Sequence, residues 1–179
     1  MDAGELRERI EILSFRKEEN AYQWHTERMS WAKAERAGRR RIFSTHAASS
    51  EGINFIIRRQ ALTRANAIRF AGQHYLITSI VPHGRLHFRV ETAAVQLAVC
   101  ADKYENFTFP SVLSEIYARH DSPLPMDSNV TRYVLVTPKE ITLVPGRLVE
   151  VNGAPWPIRV GHTLDEWKNE YEIERTVEL

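Results

Sequence analysis

Cysteine is almost missing from this chain. Cys100 is the only one in 179 residues, so no disulfide can form within it. A lone thiol fits a reducing compartment. No apolar run approaches the roughly 20 residues that a membrane-spanning helix needs. The opening, MDAGELRERIEIL, is charged throughout and has none of the apolar core of a secretory signal. There is no glycine-rich phosphate loop, no HExxH helix and no nucleophile elbow. Cys100 has no neighbouring base in a recognisable motif and reads as a small packed apolar residue. These absences weigh against an enzyme, and no cofactor is expected. Seven histidines invite a metal. His83 and His87, however, read as lying on the wet face of a strand, about 13 Å apart, and His162 with Asp165 and Glu166 reads as a polar loop. No metal site is expected.

What the chain does have is period-two alternation, the mark of strands with one buried face. The stretch Ala67–Val95 organises the rest. Ala67–Phe70 is a first strand, and Ala71-Gly72-Gln73 turns it. His74–Val81 carries Tyr75 and Ile77 on one face and Leu76 and Ile80 on the other. Pro82-His83-Gly84 turns again, and in Arg85–Val95 the apolar Leu86, Phe88 and Val90 alternate with Arg85, His87, Arg89 and Glu91. Glycine and proline at the corners supply the backbone angles that turns need. Before this stretch, Leu6–Leu13 reads as a helical turn leading into a strand, Phe15–Gln23 as a polar loop, and Gly52–Gln60 as a strand. Gln23–Glu35 fits either a helix, with Trp24 and Trp31 seven apart, or a strand, with Trp31, Lys33 and Glu35 alternating against Ala32 and Ala34; the strand is favoured. Gln96–Cys100 reads as the last strand continued. About six strands with few helical signals must curl into a small barrel or sandwich, because an open sheet would expose its edges.

Arg36–Glu51 is the unusual segment. Arg36, Arg39, Arg40 and Arg41 fall within six positions and are followed by small polar residues. It reads as a short helix capped by Ser44 or as a long loop between strands. Such an arginine cluster suits a phosphate backbone better than a base edge; the plain alternative is a solvated surface loop. Charge is divided along the chain. Residues 1–100 hold 16 Lys and Arg against 10 Asp and Glu, and residues 101–179 hold 8 against 13, giving +6 and −5. Two surfaces with different partners would account for this.

Asp102–Ser128 reads as a linker. In it Ser111–Arg119 has the apolar stripe and N-cap of a short helix, and His120–Pro125 breaks it. Residues 129–179 read as a second, smaller β domain, with strands at Tyr133–Val136, Glu140–Val144, Arg147–Val151, Pro155–Val160 and Glu170–Val177. Asn152-Gly153 is a tight-turn signal. Gly146–Val160 parallels Ala67–Ile80 in its order of strand, glycine turn and aromatic-bearing strand, as a partial repeat would. Of the four tryptophans, Trp31 and Trp156 read as core, and Trp167, between Glu166 and Lys168, as an interface residue.

Taken in order, four pieces resemble a known family. They are Met1 with Ala3-Gly4-Glu5-Leu6-Arg7-Glu8-Arg9-Ile10-Glu11-Ile12, the tryptophan strand around Trp24 and Trp31-Ala32, Ile53-Asn54-Phe55-Ile56-Ile57-Arg58-Arg59, and Arg69-Phe70-Ala71-Gly72-Gln73-His74-Tyr75-Leu76-Ile77. Over residues 1–100 the chain is similar to the bacteriophage head–tail joining family, the head-tail adaptor or head-closure (stopper) proteins. Ala61–Asn66 stands where that family has a proline-rich approach. The resemblance implies a small antiparallel β-barrel, here followed by the second β domain and its linking helix. It implies a structural virion protein assembled in the host cytoplasm as a homo-oligomeric ring, a hexamer or dodecamer, at the neck. Its partners would be a portal or adaptor ring, a tail terminator or tail tube, and the packaged double-stranded DNA that it helps retain. A long inter-strand loop can enter the channel in such proteins. On charge, Arg36, Arg39, Arg40 and Arg41 are the residues expected there. The competing expectation is a stand-alone nucleic-acid-binding barrel of the oligonucleotide-binding type, which pairs a basic groove with stacking aromatics.

Overall fold

A computed structural model describes residues 3–40, 50–115 and 129–177 of the chain. Among these residues the protein is mainly β, with one 3-10 turn at Ala3–Glu5 and no α-helix. The strands are β1 (Glu8–Glu18), β2 (Ala21–Arg40), β3 (Ser50–Arg58), β4 (Ala67–Phe70), β5 (Gln73–His83), β6 (His87–Val95), β7 (Leu97–Asp102), β8 (Phe107–Glu115), β9 (Asn129–Pro138), β10 (Leu148–Val151), β11 (Ala154–Thr163) and β12 (Lys168–Val177). The described residues up to Gln96 form one compact unit, and those from Leu97 a second.

In the first unit every pairing is antiparallel. β1 pairs with β4, β4 with β5, β5 with β6, β6 with β3 and β3 with β2, and β2 returns to β1. The hydrogen-bonded ladders therefore close on themselves. Alternation decides what lies inside. Ile10, Ala32, Phe55, Ile57, Ile68, Tyr75, Ile77 and Val90 pack as one core cluster. Phe55 is fully buried at its centre, with its ring edge-on to Phe70 at 5.4 Å and to Tyr75 at 5.8 Å.

The second unit is built the same way. β7 pairs with β10, β10 with β11, β11 with β12, β12 with β9 and β9 with β8, and β8 returns to β7. Numbered within its own unit, each set of six strands runs 1-4-5-6-3-2 and back to 1. The turns at the same place in the two units also match. Ala71 and Gly72, between β4 and β5, have φ of 49° and 76°; Asn152 and Gly153, between β10 and β11, have 49° and 83°. Two consecutive left-handed residues make the tight turn that suits a twisted hairpin. Asn-Gly is its favoured sequence, whereas Ala71 accepts about 1 kcal/mol of strain to keep the same geometry.

Several expectations are corrected. Phe15–Gln23 is not a loop: β1 runs to Glu18 and β2 starts at Ala21, leaving Glu19-Asn20 as the turn. The polar run there is the wet end of a long hairpin. Leu97–Asp102 does not continue β6 but is a strand of the second unit. The linking helix is absent where the residues are described, because Ser111–Glu115 belongs to β8; residues 116–119 lie outside them. Ser111 is not an N-cap. Its hydroxyl is buried and donates to the Val136 carbonyl at 3.0 Å. Glu140–Val144 is not a strand either. Ile141 and Leu143 are buried, and Tyr171 anchors both: its hydroxyl donates to the Ile141 carbonyl at 3.1 Å and accepts from the Leu143 N–H at 3.0 Å.

Phe55→Ala removes the ring at the centre of the first unit's core. A loss of about 3–5 kcal/mol is expected, measured by urea unfolding. A loss below about 1 kcal/mol would contradict this packing.

Candidate functional site

The arginine cluster sits differently from its expected place in a loop. Arg36, Arg39 and Arg40 belong to β2, and Arg41 lies outside the described residues. β2 can extend this far because β3 runs alongside it, pairing Arg36 with Ile53 and Arg40 with Ser50 across a register shift. The Arg36 and Arg39 side chains are exposed. Among the described residues neither has an acidic partner. Nearby charges are matched instead: Glu35 meets Lys33 at 3.1 Å and Arg89 at 3.5 Å.

A second basic feature crosses the solvent face of the first unit. Ile10, Ala32 and Ile57 point into the core, so their neighbours Arg9, Trp31 and Arg58 point outward. Register aligns them. Arg9 stands opposite Trp31, Arg58 lies one step beyond the Ala32–Ile57 pair, and Arg58 stands opposite His87, which stands opposite His83. One row thus reads Arg9, Trp31, Arg58, His87, His83 across β1, β2, β3, β6 and β5. The two histidines are neighbours across a hairpin, not two points along one strand. Among the described residues no group of three or more His, Cys, Asp or Glu could hold a metal ion. Nor do Arg9 and Arg58 have an acidic partner among those residues.

Beside this row lies an open groove of about 500 Å³, lined by Leu6, Met29, Ser30, Trp31 and Arg58. Trp31 is 58% exposed and Met29 45%. The wall is held by polar contacts. Gln60 donates to the Ser30 hydroxyl at 3.0 Å and accepts from Arg28 Nε at 2.9 Å, and Arg28 also reaches Glu27 and the Ala61 carbonyl. At the far end Arg59 donates to the Gly84 carbonyl at 3.1 Å and covers the Phe88 ring at 5.3 Å, tying the β5–β6 turn to β3. Trp31 was expected in the core. Its parity already pointed outward: it alternates in phase with Lys33 and Glu35, against Ala32 and Ala34.

The other tryptophans are partly buried. Trp24 packs on Phe15 at 5.0 Å and on His74 at 5.2 Å, and Trp156 meets Tyr133 edge-on at 5.1 Å. Trp167, expected at an interface, sits in the β11–β12 turn, where its N–H donates to Asp165 at 2.7 Å and its carbonyl accepts from Lys139. Cys100 is fully buried, and burial pushes its thiol up to about 12. The thiol therefore stays protonated and is a poor nucleophile. No family model, no curated protein and no solved structure matches this chain.

His74, between Gln73 and Tyr75 on β5, is a buried histidine moved far from its usual range. Burial first, and the Arg69 charge second, lower its pKa from 6.5 to about 4, and its Nε2 has no hydrogen-bond partner. The unfolded chain takes up this proton near 6.5, while the folded chain resists until about 4. Stability from this site is thus complete above 6.5 and is lost as pH falls from 6.5 towards 4, by about 3 kcal/mol. Urea unfolding between pH 7 and 4 should show that slope, and His74→Leu should flatten it; an unchanged slope in the variant would contradict the assignment.

Proposed function

We propose that the protein is a structural component of a phage or prophage neck, a ring-forming protein that joins head to tail and helps retain packaged DNA. In this reading each closed cycle of six strands is a small β-barrel, and the chain carries two of them. The observation that carries the reading is the first unit: six antiparallel strands closed into a cycle, with Arg36 and Arg39 exposed and without an acidic partner among the described residues, near the end of its longest strand. The resemblance of residues 1–100 to head–tail joining proteins supports it. A ring repeats each subunit's few arginines around its axis, so a modest charge per chain becomes a basic collar suited to a phosphate backbone.

A second reading has a specific observation in its favour. Trp31 is exposed on a strand between Arg9 and Arg58, which is how barrels that bind single-stranded nucleic acid combine stacking with charge. Such a domain would act alone, without a ring.

Electron microscopy of particles produced with and without the gene separates the two. The neck reading expects full heads that lack tails and leak DNA when the gene is deleted. Particles carrying Arg36→Glu with Arg39→Glu are expected to join but to lose DNA faster than wild type. Tailed, infectious particles from the deletion strain would overturn the reading.

A further inference from the structure

We infer that the groove beside Trp31 is a docking site for the acidic second unit of another copy of this chain. The inference rests on the ring reading and names the surface through which copies meet. Leu6, Met29 and Trp31 give the groove an apolar half, Ser30 and Arg58 supply its polar half, and Arg9 stands opposite Trp31. Trp, Met and Arg are the residue types enriched where proteins meet, and Trp and Arg carry much of the binding energy there. A single-stranded nucleic acid needs a succession of aromatic faces. In this row Trp31 is followed by arginine and histidine, and the groove's other apolar residues, Leu6 and Met29, offer no ring to a base.

Charge selects the occupant. Residues 1–96 carry 16 Lys and Arg against 10 Asp and Glu, and residues 97–179 carry 8 against 13. Arg58 in the groove and Arg9 across from Trp31, neither with an acidic partner among the described residues, suit an occupant of opposite charge, and the same sequence supplies one. The second unit also has apolar surface to offer. Val99 on β7 is 68% exposed and Leu148 on β10 is 46% exposed, and Glu150, beside them, meets Lys103 at 3.2 Å. A groove lined by arginine on one copy that receives part of the net-acidic second unit of the next is a heterologous contact. Such contacts generate closed rings when the rotation between copies closes.

The test places a photo-crosslinking amino acid, p-benzoylphenylalanine, at Met29 in the full-length chain. Equal amounts of light and heavy-isotope copies are mixed, irradiated and mapped by mass spectrometry. Crosslinks from position 29 to residues 97–179 of the other copy are expected, and Arg58→Glu should reduce their yield about tenfold or more. Urea unfolding of that variant confirms that this exposed change leaves the fold intact. Copies that associate but crosslink from position 29 only to residues 3–96, or not between copies, would overturn the docking site and leave the ring standing. Copies that stay apart at every concentration would overturn both. Crosslinking to added oligodeoxythymidylate in place of protein would assign the groove to nucleic acid and overturn the inference.

Discussion

The structure depends on the return of the second strand to the first. In each unit five ladders connect six strands, and a sixth closes the cycle: β2 onto β1, and β8 onto β7. Without it the unit would be an open sheet whose edges present unpaired N–H and C=O groups to any passing strand. Closure explains the length of β2. Its first part pairs with β1, from Ala21–Glu18 to Ala32–Glu8, and from Ala32 onward it pairs with β3. One strand thereby serves two neighbours and turns the sheet back on itself. The core follows: residues from six strands converge on Phe55, and no disulfide or helix is needed to hold them.

Closed on itself among the described residues, the first unit offers solvent its strand faces and strand ends. This is where the unusual features of the first unit lie. The exposed arginines stand near the end of β2, and the row from Arg9 to His83 crosses the outer face. Both use β2, so the strand that closes the unit also carries Trp31 and Arg36 to solvent. The common strand order of the two units suggests that one β design served twice, with opposite charge. The first unit's sequence is net basic and the second's net acidic.

Much of this was legible from alternation. Most of Ala67–Val95, the Asn152-Gly153 turn and the apolar Ile53, Phe55 and Ile57 followed from period two and from turn chemistry, but Pro82 and His83, expected in a turn, belong to β5, and Leu86, expected on the buried face of a strand, is exposed in the turn before β6. Other parts were hidden for physical reasons. Lys17-Glu18-Glu19-Asn20 looked like a loop because the end of a long hairpin is wet on both faces and has no apolar parity to read. Ser111–Glu115 looked helical because a buried serine satisfied by the Val136 carbonyl resembles an N-cap in sequence. Ile141 and Leu143 imitated a strand, although what holds them is Tyr171, thirty and twenty-eight residues away. Trp31 was misplaced because its size outweighed its phase. The strand order could not be read from one sequence, since β1–β4 and β3–β6 pairing joins segments far apart in the chain. The groove therefore emerged only once register brought Arg9, Trp31 and Arg58 together.

Amide hydrogen exchange, followed residue by residue by NMR, tests closure most directly. Over Glu11–Leu13 β1 has a neighbour on each side, β4 and β2, so the amides of Ile12 and Leu13 should be protected to the same order as those of Phe55 and Ile57 in β3. The account predicts a single level of protection around the six strands of the first unit. Fast exchange along β1, with slow exchange retained in β3 and β6, would mean an open sheet with a free edge, and would contradict it.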